Sequence, residues 1–278
     1  MLMTDLPSPA AAPGQAGPAA RGKPGFVRIE HVSVDFDIKG ERFAALQDVS
    51  LELARGSFSS IIGPSGCGKS TLLRLLADIL QPSGGSISID GLPPAQARGD
   101  RRIGFIFQEA TLLPWRTVIE NIALPLEIVG VKPGAGIYSP QALLELVGLA
   151  GFADAMPQQL SGGMQQRVAI ARALVLQPDI LLMDEPFGAL DELTRLKMNN
   201  ELLRIWSEIH TTVLLVTHSI SEAVFMSDRI FVMSPRPGRL ERTIAVDIPT
   251  PRRPEHMKWP RFAELTNEVR DALMGQGE

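Results

Sequence analysis

Residues 57–80 read SFSSIIGPSGCGKSTLLRLLADIL, and this stretch decides the fold. SFSSIIG has the make-up of a short buried strand running into a glycine-rich turn, and KSTLLRLLADIL places its leucines at helical spacing. Between them Gly63, Pro64, Ser65, Gly66, Cys67, Gly68, Lys69 and Ser70 fit G-x-x-x-x-G-K-[ST], with Thr71 following. The glycines let the backbone amides of residues 65–70 turn inward around an anion, and the helix start adds partial positive charge. Lys69 supplies a full charge for β- and γ-phosphates, and Ser70 a hydroxyl for Mg²⁺. Cys67 is read as a residue selected for size. The expected ligand is ATP with Mg²⁺.

Two further motifs lie downstream. ILLMDEP, residues 180–186, is a buried strand delivering carboxylates at its carboxyl end, where ligands of open α/β sheets bind. Asp184 is expected to hold Mg²⁺ through its water shell, and Glu185 to polarise an attacking water. LSGGMQQR, residues 160–167, has Ser161 as an N-cap, with Gly162 and Gly163 exposing amides at a helix start. This is a second anion-binding helix terminus in the same chain.

Apolar runs alternate with helical ones outside these motifs. DILLMDEP, TTVLLVTH and RIFVMS are strand-like, and SGGMQQRVAIARALVLQ and ELTRLKMNNELLRIWSEI are helical. Such alternation predicts a mostly parallel sheet covered on both faces. FVRIEHVSVDFDI and VSLELA alternate with the two-residue period of half-buried strands. The expected organisation is a disordered tail over 1–25 and a nucleotide-binding α/β core over 26–108 and 166–240, its antiparallel part near 26–60. A helical subdomain is expected over 109–165, and a C-terminal tail with a short helix over 241–278.

Composition narrows the class. With 27 basic and 31 acidic residues the net charge is −4, which gives no support to a nucleic-acid partner held by excess positive charge. One cysteine excludes an internal disulfide or a multi-cysteine metal site. No apolar run reaches the ~18 residues of a spanning helix, and the N-terminus lacks the pattern of a secretory signal. The expected location is the cytoplasmic face of the cell membrane, reached through a partner.

The three motifs in this order resemble the nucleotide-binding subunits of ATP-binding cassette (ABC) transporters, over nearly all of residues 26–273. The resemblance implies a P-loop NTPase fold with a RecA-like sheet, an antiparallel β subdomain and a helical insert. It also implies a head-to-tail homodimer, Ser161, Gly162 and Gly163 of one copy closing over the γ-phosphate of the other. By the same resemblance Gln108 senses Mg²⁺ and water, His218 is the switch histidine and Asp191 lies at the dimer interface. Phe36 is the choice for stacking on adenine, with Phe43 competing for that role. LLPWRTVIENIALPLEIVG and MSPRPGRLERTIAVDIPTPRRP look like the branch importing nitrate, taurine and other sulfonates. Implied partners are transmembrane permease subunits, docked near Leu112, Pro114 and Trp115, and indirectly a solute-binding protein. A soluble cassette ATPase is the rival reading.

Overall fold

The computed structural model describes residues 25–38, 40–132 and 138–275. All but the last residue of the expected N-terminal tail lies outside the described residues. Strands β1 (Val27–Ile38) and β2 (Glu41–Leu53) form a long antiparallel pair, and β4 (Gly84–Ile89) joins the other side of β1. Between them in sequence come β3 (Phe58–Ile62) and α1 (Lys69–Leu76). After β4 the chain passes through α2 (Pro94–Gly99) to β5 (Ile103–Ile106).

Helices α3 (Val118–Val129), α4 (Pro140–Leu146) and α5 (Gly162–Leu174) follow, then β6 (Ile180–Asp184) and α6 (Glu192–Ile209). The chain closes with β7 (Thr212–Val216), α7 (Ile220–Met226), β8 (Arg229–Met233), β9 (Leu240–Ala245) and α8 (Pro260–Met274). The second sheet has the order β5-β6-β7-β3-β8-β9, parallel except for β9.

This sheet is apolar on both faces, as its continuous apolar strands require. Leu181 and Met183 of β6, Val213 and Leu215 of β7, and Ile230 and Val232 of β8 join one core with α3, α5 and α8. Their neighbours Ile180, Leu182, Leu214, Val216, Phe231 and Met233 join the other, with α1 and the antiparallel sheet. The period-two alternation of side chains therefore divides the layers.

Two segments differ from the expected boundaries. α5 runs unbroken across residue 165, because its buried face, Val168, Ile170, Ala171 and Leu174, packs into the sheet core. Residues 241–275 are no tail: β9 pairs with β8, and α8 buries Phe262, Leu265 and Val269 at helical spacing in the same core. Asp78 has a left-handed backbone with φ 55°, and its carboxylate binds Gln81 and Arg98. Asp tolerates that conformation better than most residues.

Candidate functional site

Strand order gathers the motifs. Gln108 follows β5, Asp184 and Glu185 end β6, His218 follows β7, and the phosphate loop follows β3. These four strands are consecutive and parallel, so all of the groups emerge at one edge of the sheet.

The loop is shaped by close approaches. Gly68, the N-cap of α1, has φ 101°, and a Cβ there would sit 2.5 Å from Leu46 Cδ2 and 3.1 Å from the Ala45 carbonyl oxygen. β2 thus braces the loop. Lys69 is buried and its Nζ donates to the Gly63 and Pro64 carbonyl oxygens at 2.9 and 3.0 Å. Burial pushes the Cys67 thiol up, against the opposing pull of Lys69, which fits a space-filling role rather than a nucleophilic one.

Ser70 Oγ donates to Asp184 Oδ1 at 2.9 Å. Burial raises the Asp184 carboxyl above the ordinary aspartate range, the Ser70 bond opposes this, and neighbouring Glu185 adds to it. A hydroxyl and a carboxylate side by side are hard oxygen donors, a set that fits Mg²⁺. Glu185 has a left-handed backbone, φ 46°, pinned by its N–H to the Val216 carbonyl and by Gly188 N–H to its own. That turn leaves Glu185 Oε2 3.2 Å from His218 Nδ1. A Cβ on Gly188 would lie 3.5 Å from both Gln108 Nε2 and Glu185 Oε2, so the glycine keeps space open between them.

The signature residues are elsewhere. Ser161 caps α5, its Oγ accepting from Met164 N, and Gly162 and Gly163 face Leu190, Thr194 and Met198 at the start of α6. Asp191 caps α6 through Thr194, whose side chain and backbone hold its carboxyl low. Among the described residues no hydrogen bond links this group to the phosphate loop of the same chain.

Phe36 and Phe43 are directly paired across β1 and β2, hence on one face of the sheet. The guanidinium of Arg236 lies 4.2 Å from the Phe43 ring centre, and one of its nitrogens faces Gly66. In the sequence, MSPRPGR carries only the likeness to an importer branch. Its packing signal is Gly238, where a Cβ would come within 1.9 Å of the Cys67 carbonyl oxygen, fixing the β8–β9 turn against the loop. Sequence reading also passed over Thr217, Glu222 and Arg195, which line a narrow cleft with Glu185, Gly188 and His218.

A phosphate loop braced on a parallel sheet, with carboxylates at the end of β6 two strands away, defines a P-loop nucleotide-hydrolase fold. Comparison with known proteins narrows this. The ABC transporter family pattern matches residues 46–188. The taurine import ATP-binding protein of Rhizobium johnstonii is 46% identical over 254 residues, covering 89% of this chain and 96% of that one. An aliphatic sulfonates import ATP-binding protein of Xanthomonas axonopodis pv. citri is 49% identical over 221 residues, covering 77% and 86%. A dimeric ATP-binding cassette in a post-hydrolysis state bound to ADP and Pi superposes with TM-score 0.69 at 36% identity, over 80% of this chain and 99% of that one. The chain belongs to the ABC transporter family and is an ATPase of that family.

Proposed function

We propose that this chain energises uptake of a small anion, a sulfonate such as taurine or else nitrate, as the peripheral ATPase of an importer at the cytoplasmic face of the membrane. The Glu185–His218 contact at 3.2 Å beside the Ser70–Asp184 contact at 2.9 Å carries the hydrolytic part of this reading. The names of the taurine and sulfonate relatives support the anion class. Among the described residues no helix is long and apolar enough to cross a membrane, so the reading places transport in separate permease subunits.

In this mechanism the amides of residues 65–70 and Lys69 hold the β- and γ-phosphates. Gly63, Pro64 and Thr71 frame the loop. Ser70, Gln108 and Asp184 would hold Mg²⁺, which would supply positive charge against the phosphates. Glu185 orients and polarises the attacking water, while His218 holds Glu185 and faces the γ-phosphate. Phe36 stacks on adenine, since a face of Phe43 already carries Arg236. Ser161, Gly162 and Gly163 of a second copy close the site head to tail, with Asp191 at the interface. Their distance in bonding from the chain's own phosphate loop supports that arrangement.

The test is Glu185→Gln, which keeps shape but removes the charge. Hydrolysis should fall by ~10²–10⁴ while ATP still binds. The variant should run as a dimer in MgATP and as a monomer without it, by size exclusion with light scattering. Normal turnover would refute the catalytic assignment.

For the permease, the segment after β5 is the proposed dock. It is pinned from behind: Gln166 donates to the Phe107 carbonyl, Arg172 to those of Ala110 and Thr111, and buried Asn121 to those of Leu113, Arg116 and Thr117. Trp115 is left 71% exposed on this fixed loop. Trp115→Glu should reduce recovery of the assembled transporter without shifting the melting temperature of the isolated subunit. Assembly at normal yield would remove Trp115 from the dock.

A further inference from the structure

Behind the Glu185–His218 pair lies a carboxyl that the mechanism above does not use. Glu222, on the first turn of α7, is buried, as are Thr217 and Asn199 beside it. Thr217 immediately precedes His218. Its Oγ1 accepts from the N–H of Ser219, and its single proton is then directed to Glu222 Oε2 in a short bond.

The other end of the carboxyl is the informative one. Glu222 Oε1 is buried without a hydrogen-bond partner, and so is Oδ1 of Asn199 on α6. The two side chains adjoin. The influence of Asn199 on the carboxyl is that of a donor, which favours the charged form, so its NH2 group is the side that meets Glu222, and each buried polar atom left unmet costs about 1–3 kcal/mol. Donation from the Asn199 amide meets Oε1 without a proton on the carboxyl.

We propose that Glu222 is a positioning residue for hydrolysis: it accepts at Oε2 from Thr217 and at Oε1 from the Asn199 amide, clamping the His218 turn to α6. The charged groups around this position are Arg195 from α6, His218 from the turn after β7 and Glu185 from the end of β6, which line the same cleft. Arg195 and His218 pull the carboxyl down, as do its bonds to Thr217 and Asn199, but burial is the largest influence and raises it. The clamp matters because α6 is capped by Asp191 and packs on Gly163 through Thr194 and Met198. It therefore ties the switch histidine to the helix that carries the interface loop.

This inference rests on the catalytic assignment of Glu185 and His218. The experiment compares ATP turnover and nucleotide affinity of the full chain for Glu222→Gln, Glu222→Ala and Thr217→Val, with Glu185→Gln as reference. Glu222→Gln keeps an acceptor for Thr217 and should keep kcat within about twofold, whereas Glu222→Ala and Thr217→Val should lose about tenfold, the rate equivalent of one buried hydrogen bond. Nucleotide affinity should stay unchanged in all three, because none of these side chains reaches the phosphate loop. If Glu222→Ala fails to fold, Thr217→Val, nearly isosteric, carries the test. Wild-type kcat in Thr217→Val, or a Glu222→Gln as slow as Glu222→Ala, would overturn the clamp. Normal turnover in Glu185→Gln would instead overturn the reading beneath it, so the two failures are distinct.

Discussion

The two ends of the parallel sheet both gather charged residues, and they use them differently. At the amino end, Arg55 pairs with Asp90 at 2.7 Å and with Asp179 at 3.2 Å, and Arg102 pairs with the same two carboxylates. Each charge there meets its opposite. The cluster joins the loop after β4 to the starts of β3, β5 and β6, so its role is to hold the antiparallel sheet on the parallel one. At the carboxyl end, Lys69 is bonded to carbonyls, Asp184 to a hydroxyl and Glu185 to an imidazole. No ion pair joins Lys69 to a carboxylate among the described residues. Lys69 and Asp184, held by carbonyls and a hydroxyl, remain available to a ligand, whereas charges already neutralised by each other do not. Balance of charge, more than its density, separates the site from the clamp.

That contrast can be broken at either end. The larger effect is expected from Lys69→Ala, which removes the one full positive charge of the loop. Charge-assisted bonds of this kind are worth roughly 1.5–3 kcal/mol, so MgATP affinity should fall tenfold or more by titration. Unchanged affinity in a folded variant would show that the charge is not directed at phosphate.

The smaller effect is expected from Arg102→Met. Its pairs are partly exposed, so the loss should be about 1 kcal/mol of stability in a urea titration, with MgATP affinity unaltered. Arg102 and Arg55 hold the Asp90 carboxyl below the usual aspartate range. A lowered pKa means the folded state favours the charged form, so this contribution is present at neutral pH. It is lost only as the pH falls below about 4, through the lowered pKa. A change in ATP affinity on this substitution would mean that the two ends are coupled through the strands.

Most of the candidate site was legible because its parts are local. The loop of residues 63–71 and the pair Asp184 and Glu185 each follow one apolar strand, and such a run announces both the strand and its carboxyl end. Gln108 and His218 were legible only through resemblance, since a glutamine after a four-residue strand and a lone histidine carry no periodic signal. Arg236 and Glu222 were not legible. Arg236 meets Phe43 across 193 residues of chain, and Glu222 reads as an ordinary acid in the first turn of a helix until its burial is seen. The C-terminal helix was underestimated for a similar reason. Phe262, Leu265 and Val269 lie among charged and polar residues, and packing against α7 makes them core.

By itself, then, the amino-acid sequence determined the strands, the phosphate loop and the family, because hydrophobic period and glycine placement act over a few residues at a time. Tertiary structure decided which charges were left without counter-charges, which acid was buried, and that the signature residues lie with Asp191 rather than with their own phosphate loop. Those outcomes depend on strand order and helix docking. They are sums over contacts between residues far apart in the chain, and no local pattern encodes them.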